Sequence, residues 1–160
     1  MRVTFFLLVT LILFGCSTNS KLTEEQVKAE KEAMWSTVSD LFKAIAEENW
    51  ENFSKNITDD CILYGTDVAE VDHGSQELEI HMKKTFDMVE NSEIIDFKNK
   101  DVKLSPTLGT VMVDATWNTI FLGQEASMPL RSAFTLEKVD GNWLISQGLF
   151  SIPSVGQAAE

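Results

Sequence analysis

Apolar positions change their period along the chain and divide it into a leader, a helical half and a strand half. Val27, Met34, Val38, Leu41, Phe42 and Ile45 recur at spacings of three, four or seven, one face of an amphipathic helix beginning near Leu22. Thr23-Glu24-Glu25-Gln26 supplies a hydroxyl cap with an acceptor three residues on, the pattern of a capping box. Trp50 to about Ile57 reads as a short second helix, Asp59-Asp60 as a turn, and Cys61 to Tyr64 as a short strand broken by Gly65. Leu78, Met82, Phe86 and Val89 predict a further helix from about Ser75 to Val89. From Ile94 the period falls to two. Ile94 to Lys103 reads as a strand, and in Thr110–Leu122 the residues Val111, Val113, Ala115, Trp117, Thr119 and Phe121 share one face. Gly123-Gln124-Glu125 turns the chain. Leu130–Val139 and Asn142–Phe150 flank Asp140-Gly141, the dipeptide of a two-residue hairpin. Strict alternation across that hairpin puts Phe134, Leu136, Trp143, Ile145, Gln147 and Leu149 on one face. Helices followed by a meander of strands predict an α+β fold, a curved antiparallel sheet packed on N-terminal helices.

The leader has one cation, Arg2, then an apolar stretch from Val3 to Phe14, and then Gly15-Cys16 before a polar run. That is the build of an export signal, and it is too short for a confident transmembrane span. Leu13-Phe14-Gly15-Cys16 resembles the lipobox of bacterial lipoproteins, in which the cysteine is lipidated and becomes the new N-terminus. The expected division is a signal peptide over 1–15, a lipidated Cys16 and tether over 16–23, one domain over 24–152, and a tail over 153–160. The expected location is the cell envelope of a bacterium, with the domain outside the cytoplasm and held to the membrane through the lipid. Lipidation of Cys16 would leave Cys61 without a disulfide partner, as a small buried hydrophobe in a strand.

Charge narrows the partners. With 13 Lys and Arg against 25 Asp and Glu, the net charge of −12 offers no basic face for nucleic acid. The same balance argues against adsorption to anionic lipid by surface charge alone. No cofactor is implied.

Gly65-Thr66-Asp67, then Glu70, then Gly74 opening a helix, resembles a "GTD…E…G" segment of SnoaL-like proteins in the nuclear transport factor 2-like superfamily. Arg131 with Asp140-Gly141-Asn142-Trp143 and Ser151 is similar to the same group's "R…DG-x-W…S" hairpin. The resemblance implies a cone, a bent sheet wrapped around helices with a cavity open at one end. It also implies relatives that isomerise, cyclise or dehydrate small molecules, beside many pockets with no known reaction. Histidines common in the last strand of such proteins are replaced here by Gln147 and Leu149, and neither can shuttle protons near neutral pH. Asp114 lies on the sheet face opposite Trp117, away from the expected cavity.

The pocket residues expected on this basis are Trp35, Tyr64, Asp67, Trp117, Phe134, Gln147 and Leu149. Asp67 could equally cap backbone amides, and Arg131 could serve a dimer or a salt bridge as well as a pocket. His73 with Asp67, Glu70 and Asp72 could hold a cation, but a solvated acidic loop at a helix start is the simpler reading, and no metal site is expected. His81, beside Lys83 and Lys84, reads as a surface residue. No catalytic residue is assigned. The leading function is non-catalytic binding of a small apolar or aromatic molecule in the cone and/or homodimer formation, with a second copy of the chain as the expected partner. The alternative is an isomerase, dehydratase or hydrolase acting on such a molecule, and a third is an accessory part of an envelope complex. Cys16→Ser should leave unprocessed precursor without acyl label in metabolic labelling; a mutant still processed and acylated would contradict the lipobox.

Overall fold

In the computed structural model, which describes residues 22–153, the first apolar stripe closes into helix α1 (Glu24–Ala46). Thr23 caps it through both bonds of a capping box: its hydroxyl accepts from the Gln26 amide at 3.2 Å, and its own amide donates to Gln26 Oε1 at 2.9 Å. Met34, Val38, Leu41, Phe42, Ala44 and Ile45 form the buried face. A short α2 (Trp50–Ser54) follows, capped by Asn49, and α3 (Ser75–Phe86) buries Leu78, Met82 and Phe86. Among the described residues no helix is long and apolar enough to cross a membrane. Cys16 and residues 154–160 of the tail lie outside the described residues.

Strands β1 (Ile57–Tyr64), β2 (Val71–His73), β3 (Val89–Leu104), β4 (Leu108–Phe121), β5 (Gln124–Val139) and β6 (Asn142–Ser151) form one sheet, ordered β2-β1-β6-β5-β4-β3. The expected α+β architecture is present, with one correction: β1 runs parallel to β6, so the sheet is mixed. Parallel neighbours need a crossover, and here all the chain from β2 to β5 supplies it. Val89 begins β3 instead of ending α3. Both tight hairpins have left-handed backbone at two successive residues, Leu122-Gly123 (φ 50° and 78°) and Asp140-Gly141 (φ 49° and 86°). That geometry matches the twist of the flanking strands. Gln124 and Glu125, expected in a turn, therefore pair with Phe121 and Ile120.

Curvature comes from extra residues. Edge strand β3 changes register three times, and Asn91, Asp96 and Asn99 take left-handed backbone (φ 53°, 56° and 50°) beside those shifts. Such bulges bend a strand. Phe97 is thereby carried over α1, its ring 5.5 Å from those of Trp35 and Phe42.

One more extra residue reverses an expectation. Leu136 pairs with Ile145 but Thr135 pairs with Gln147, so Ser146 has no partner on β5. Beyond it the faces exchange. Phe134 stands opposite Gly148, Phe150 turns inward, and Gln147 and Leu149 turn out to solvent. Their expected place inside the cone is therefore corrected. A Cβ at Gly148 would lie 2.9 Å from both Leu63 Cδ1 and Phe134 Cδ1, so glycine is required by close approach. Phe42, Phe134 and Phe150 meet edge-on with centroids 5.5–6.3 Å apart. Glu30 of α1 fastens the last hairpin, accepting from Trp143 Nε1 at 2.7 Å and from Lys138 Nζ at 2.5 Å. Those two bonds, that of Lys138 first, hold its carboxyl below the ordinary range.

Cys61 is fully buried on the inner face of β1. Burial, with a smaller contribution from Asp60, pushes its thiol up to about 12. It should react with maleimide at pH 7 only after denaturant is added, because the thiolate is the nucleophile; rapid labelling of the folded protein would contradict this.

Candidate functional site

The bent sheet and α3 leave an apolar cavity of about 260 Å³ at the open end of the cone. Met82 and Thr85 of α3, Met88 of the turn after it, Ile94, Trp117 and Phe121 of the β3–β4 ribbon, and Met128 and Leu130 of β5 line it. Ile152, beyond β6, completes the rim. A volume of this size lies just below the usual range of small-molecule sites. Alternation along β4 aims Trp117 inward, as its sequence pattern predicts. The indole N–H of Trp117 is buried and has no hydrogen-bond partner. Leaving such a donor unpaired costs about 1–3 kcal/mol.

The polar side of the cavity is built by the Gly65–Glu70 turn. Glu70 Oε2 accepts from the amides of Thr66 at 2.7 Å and Asp67 at 2.9 Å. The carboxylate lies so close to the chain that a Cβ on Gly65 would be 2.2 Å from Oε2. Asp67 stays in the turn, its Oδ1 accepting from the Ala69 amide at 2.9 Å. It caps backbone and does not line the cavity. The motif is thus a folded turn whose product is an oriented Glu70.

Opposite Glu70 stands His81 of α3. Its Nδ1 lies 2.6 Å from Oδ2 of the buried Asp72, and its Nε2 lies 3.6 Å from Glu70 Oε1. An ionised Asp72 can only accept, which assigns the Nδ1 proton to the histidine. Sequence reasoning missed this residue because Lys83 and Lys84 beside it suggested solvent. A signal was present: His81 and Thr85 continue the buried stripe of Leu78, Met82 and Phe86 at spacings of three and four. The acidic-loop reading of Glu70 and Asp72 leaves out the histidine that joins them. Among the described residues no group of three or more His, Cys, Asp or Glu is arranged to hold a metal ion.

The remaining expected residues are elsewhere. Tyr64, Gln147 and Leu149 line a hollow of about 490 Å³ on the outer sheet face, with Ile62, His73, Thr110 and Met112. Tyr64 shares that face because it pairs with Leu149 across the parallel β1–β6 ladder. Phe134 is core. Trp35 packs edge-on against Phe97 under the Lys100 ammonium, 4.4 Å from the ring centroid. Arg131 grips Asp114 through Nε to Oδ1 at 2.7 Å and Nη2 to Oδ2 at 3.2 Å, on the side opposite the cavity. Arg131, and then Asn99 at 2.7 Å, hold the Asp114 carboxyl below its ordinary range. The pair is structural. Of the seven residues expected in the pocket, Trp117 alone lines the cone cavity.

Helices packed in a bent six-stranded sheet define the fold class, and the sequence carries its family mark. The SnoaL-like domain model matches residues 35–154, and the chain belongs to that family. No curated protein matches it. Among solved structures it is similar to a nuclear transport factor 2-like superfamily protein from Salmonella enterica, with a TM-score of 0.73 and 11% identity over 84% of this chain and 99% of that one. A ketosteroid isomerase-like protein from Erwinia carotovora is similar with a TM-score of 0.69 and 19% identity, over 78% and 97%. A nuclear transport factor 2-like protein from Pseudomonas putida gives 0.69 and 12%, over 83% and 93%. At such identities the likeness shows the fold alone.

Proposed function

We propose that this domain binds a small, largely apolar molecule in the cone cavity, with a hydrogen-bond acceptor of the ligand on the Trp117 indole. The observation that carries the reading is a largely apolar cavity lined by Trp117, whose buried Nε1 has no hydrogen-bond partner. With Cys16 acylated, the domain would offer this cavity at a bacterial membrane surface outside the cytoplasm. A second reading, proton transfer of the isomerase or dehydratase kind, is favoured by one feature: Asp72 holds His81 Nδ1 and leaves Nε2 on the Glu70 side.

Acetophenone, an apolar ring with one carbonyl acceptor, tests both. It should bind to the parent. Trp117→Phe should weaken it about two- to twelvefold, the loss of one hydrogen bond of about 0.5–1.5 kcal/mol. Gln147→Leu, on the outer face, should leave the affinity unchanged. Absence of binding, or loss through Gln147→Leu alone, would contradict the cavity reading. In heavy water its methyl protons should stay undeuterated; exchange abolished by His81→Asn would promote the catalytic reading instead.

We also propose that the outer face meets a second copy of the chain. Tyr64, Met112 and Leu149 are 48%, 51% and 45% exposed there, a set of large side chains on one sheet face. Light scattering should give a dimer, and Leu149→Glu a monomer; a monomeric parent would contradict this.

A further inference from the structure

The polar side of the cavity contains a mismatch of hydrogen-bonding groups. The Glu70 carboxylate is held in place by the two amides on Oε2, which leaves Oε1 turned toward His81. With Nδ1 donating to Asp72, a neutral His81 presents a lone pair at Nε2. Two acceptors then face each other at 3.6 Å, with no short hydrogen bond between them. Protonation of His81 would give Nε2 a hydrogen, but the cluster would still carry two carboxylates against one imidazolium. With both carboxylates ionised, its charge is negative in either state. Among the described residues no lysine or arginine lines the cavity to balance it. A hydroxyl of a ligand could supply a donor but no charge, and a carboxylate would meet repulsion. An ammonium supplies both. Acceptors 3.6 Å apart can each lie roughly 2.9 Å from a single nitrogen carrying three donors.

We infer that the cavity takes a cationic amphiphile, a primary alkylamine or arylalkylamine. Its apolar body lies among Met82, Met88, Trp117 and Met128, and its ammonium lies between Glu70 Oε1 and His81 Nε2. The inference rests on the proposed binding role of the cavity and adds the chemical class of the ligand. The acidic chain, at −12, would raise the local concentration of such cations. An aromatic body suits the site further, because the Trp117 N–H can meet the face of a ring as a weak acceptor.

The test is a series of head groups on one body, measured by calorimetry on the full mature chain: 2-phenylethylamine, 2-phenylethanol and 3-phenylpropionate. The amine should bind at least about tenfold more tightly than the alcohol, and the acid should show no measurable binding. Glu70→Gln should erase the preference for the amine. Its side-chain oxygen can still accept from Thr66 and Asp67, while its NH₂ replaces Oε1 and turns a donor toward the ammonium. Binding of the alcohol and the melting temperature should be retained in that variant. Equal affinity of amine and alcohol for the parent would overturn the inference and leave the cavity reading standing. Failure of all three compounds would overturn both. The series on the parent decides the matter even if Glu70→Gln does not fold.

Discussion

A single unpaired residue, Ser146, sets which half of β6 faces the helices. Because Leu136 pairs with Ile145 and Thr135 with Gln147, the strand changes face at that point. Phe150 then reaches the core beside Phe42 and Phe134, and Gly148 lets the Phe134 ring lie against the backbone. Without the extra residue, the Gln147 amide would be buried against the helices, at the cost of burying polar groups without partners. The bulge also adjoins a second anchor, the Ile145 amide donating to Asn56 O at 2.9 Å where the chain enters β1. The inner wall of the cone and the outward display of Tyr64 and Leu149 both follow from that register.

Much of this architecture is legible in the amino-acid sequence, because it depends on local periodicity. The α1 stripe, its Thr23 cap, the alternation of β4 and the Asp140-Gly141 turn are all local signals. Irregular positions are less visible. Nothing about Ser146 marks it as a bulge, since serine fits a strand. Asn91, Asp96 and Asn99 tolerate left-handed backbone, but they read equally as exposed strand residues. β2, only three residues long, is too short to show a period. Parallel pairing of β1 with β6 is a relation between distant segments that no local pattern encodes. For the site, alternation sufficed for Trp117, while one bulge displaced Gln147 and Leu149. His81 of α3 also lines the cavity, although Lys83 and Lys84 beside it point to solvent.

The cavity thus combines two different environments. Methionine and aromatic side chains give an adaptable apolar wall. The Gly65–Glu70 turn and Asp72 give a fixed electrostatic edge, and each of their groups is held by another: Glu70 by two amides, His81 by Asp72. That preorganisation is what separates an oriented site from a chance group of charges. Its chemistry belongs to this chain, since the family's fold accommodates many sites.

The methionines allow the most direct test. Met82, Met88 and Met128 line the cavity, Met34 lies in the core, and Met112 is on the outer face. With methyl-¹³C methionine, a nuclear magnetic resonance titration with 2-phenylethylamine should move the resonances of Met82, Met88 and Met128 together and leave those of Met34 and Met112 in place. A shift confined to Met112, or the absence of any saturable shift, would contradict a binding site inside the cone.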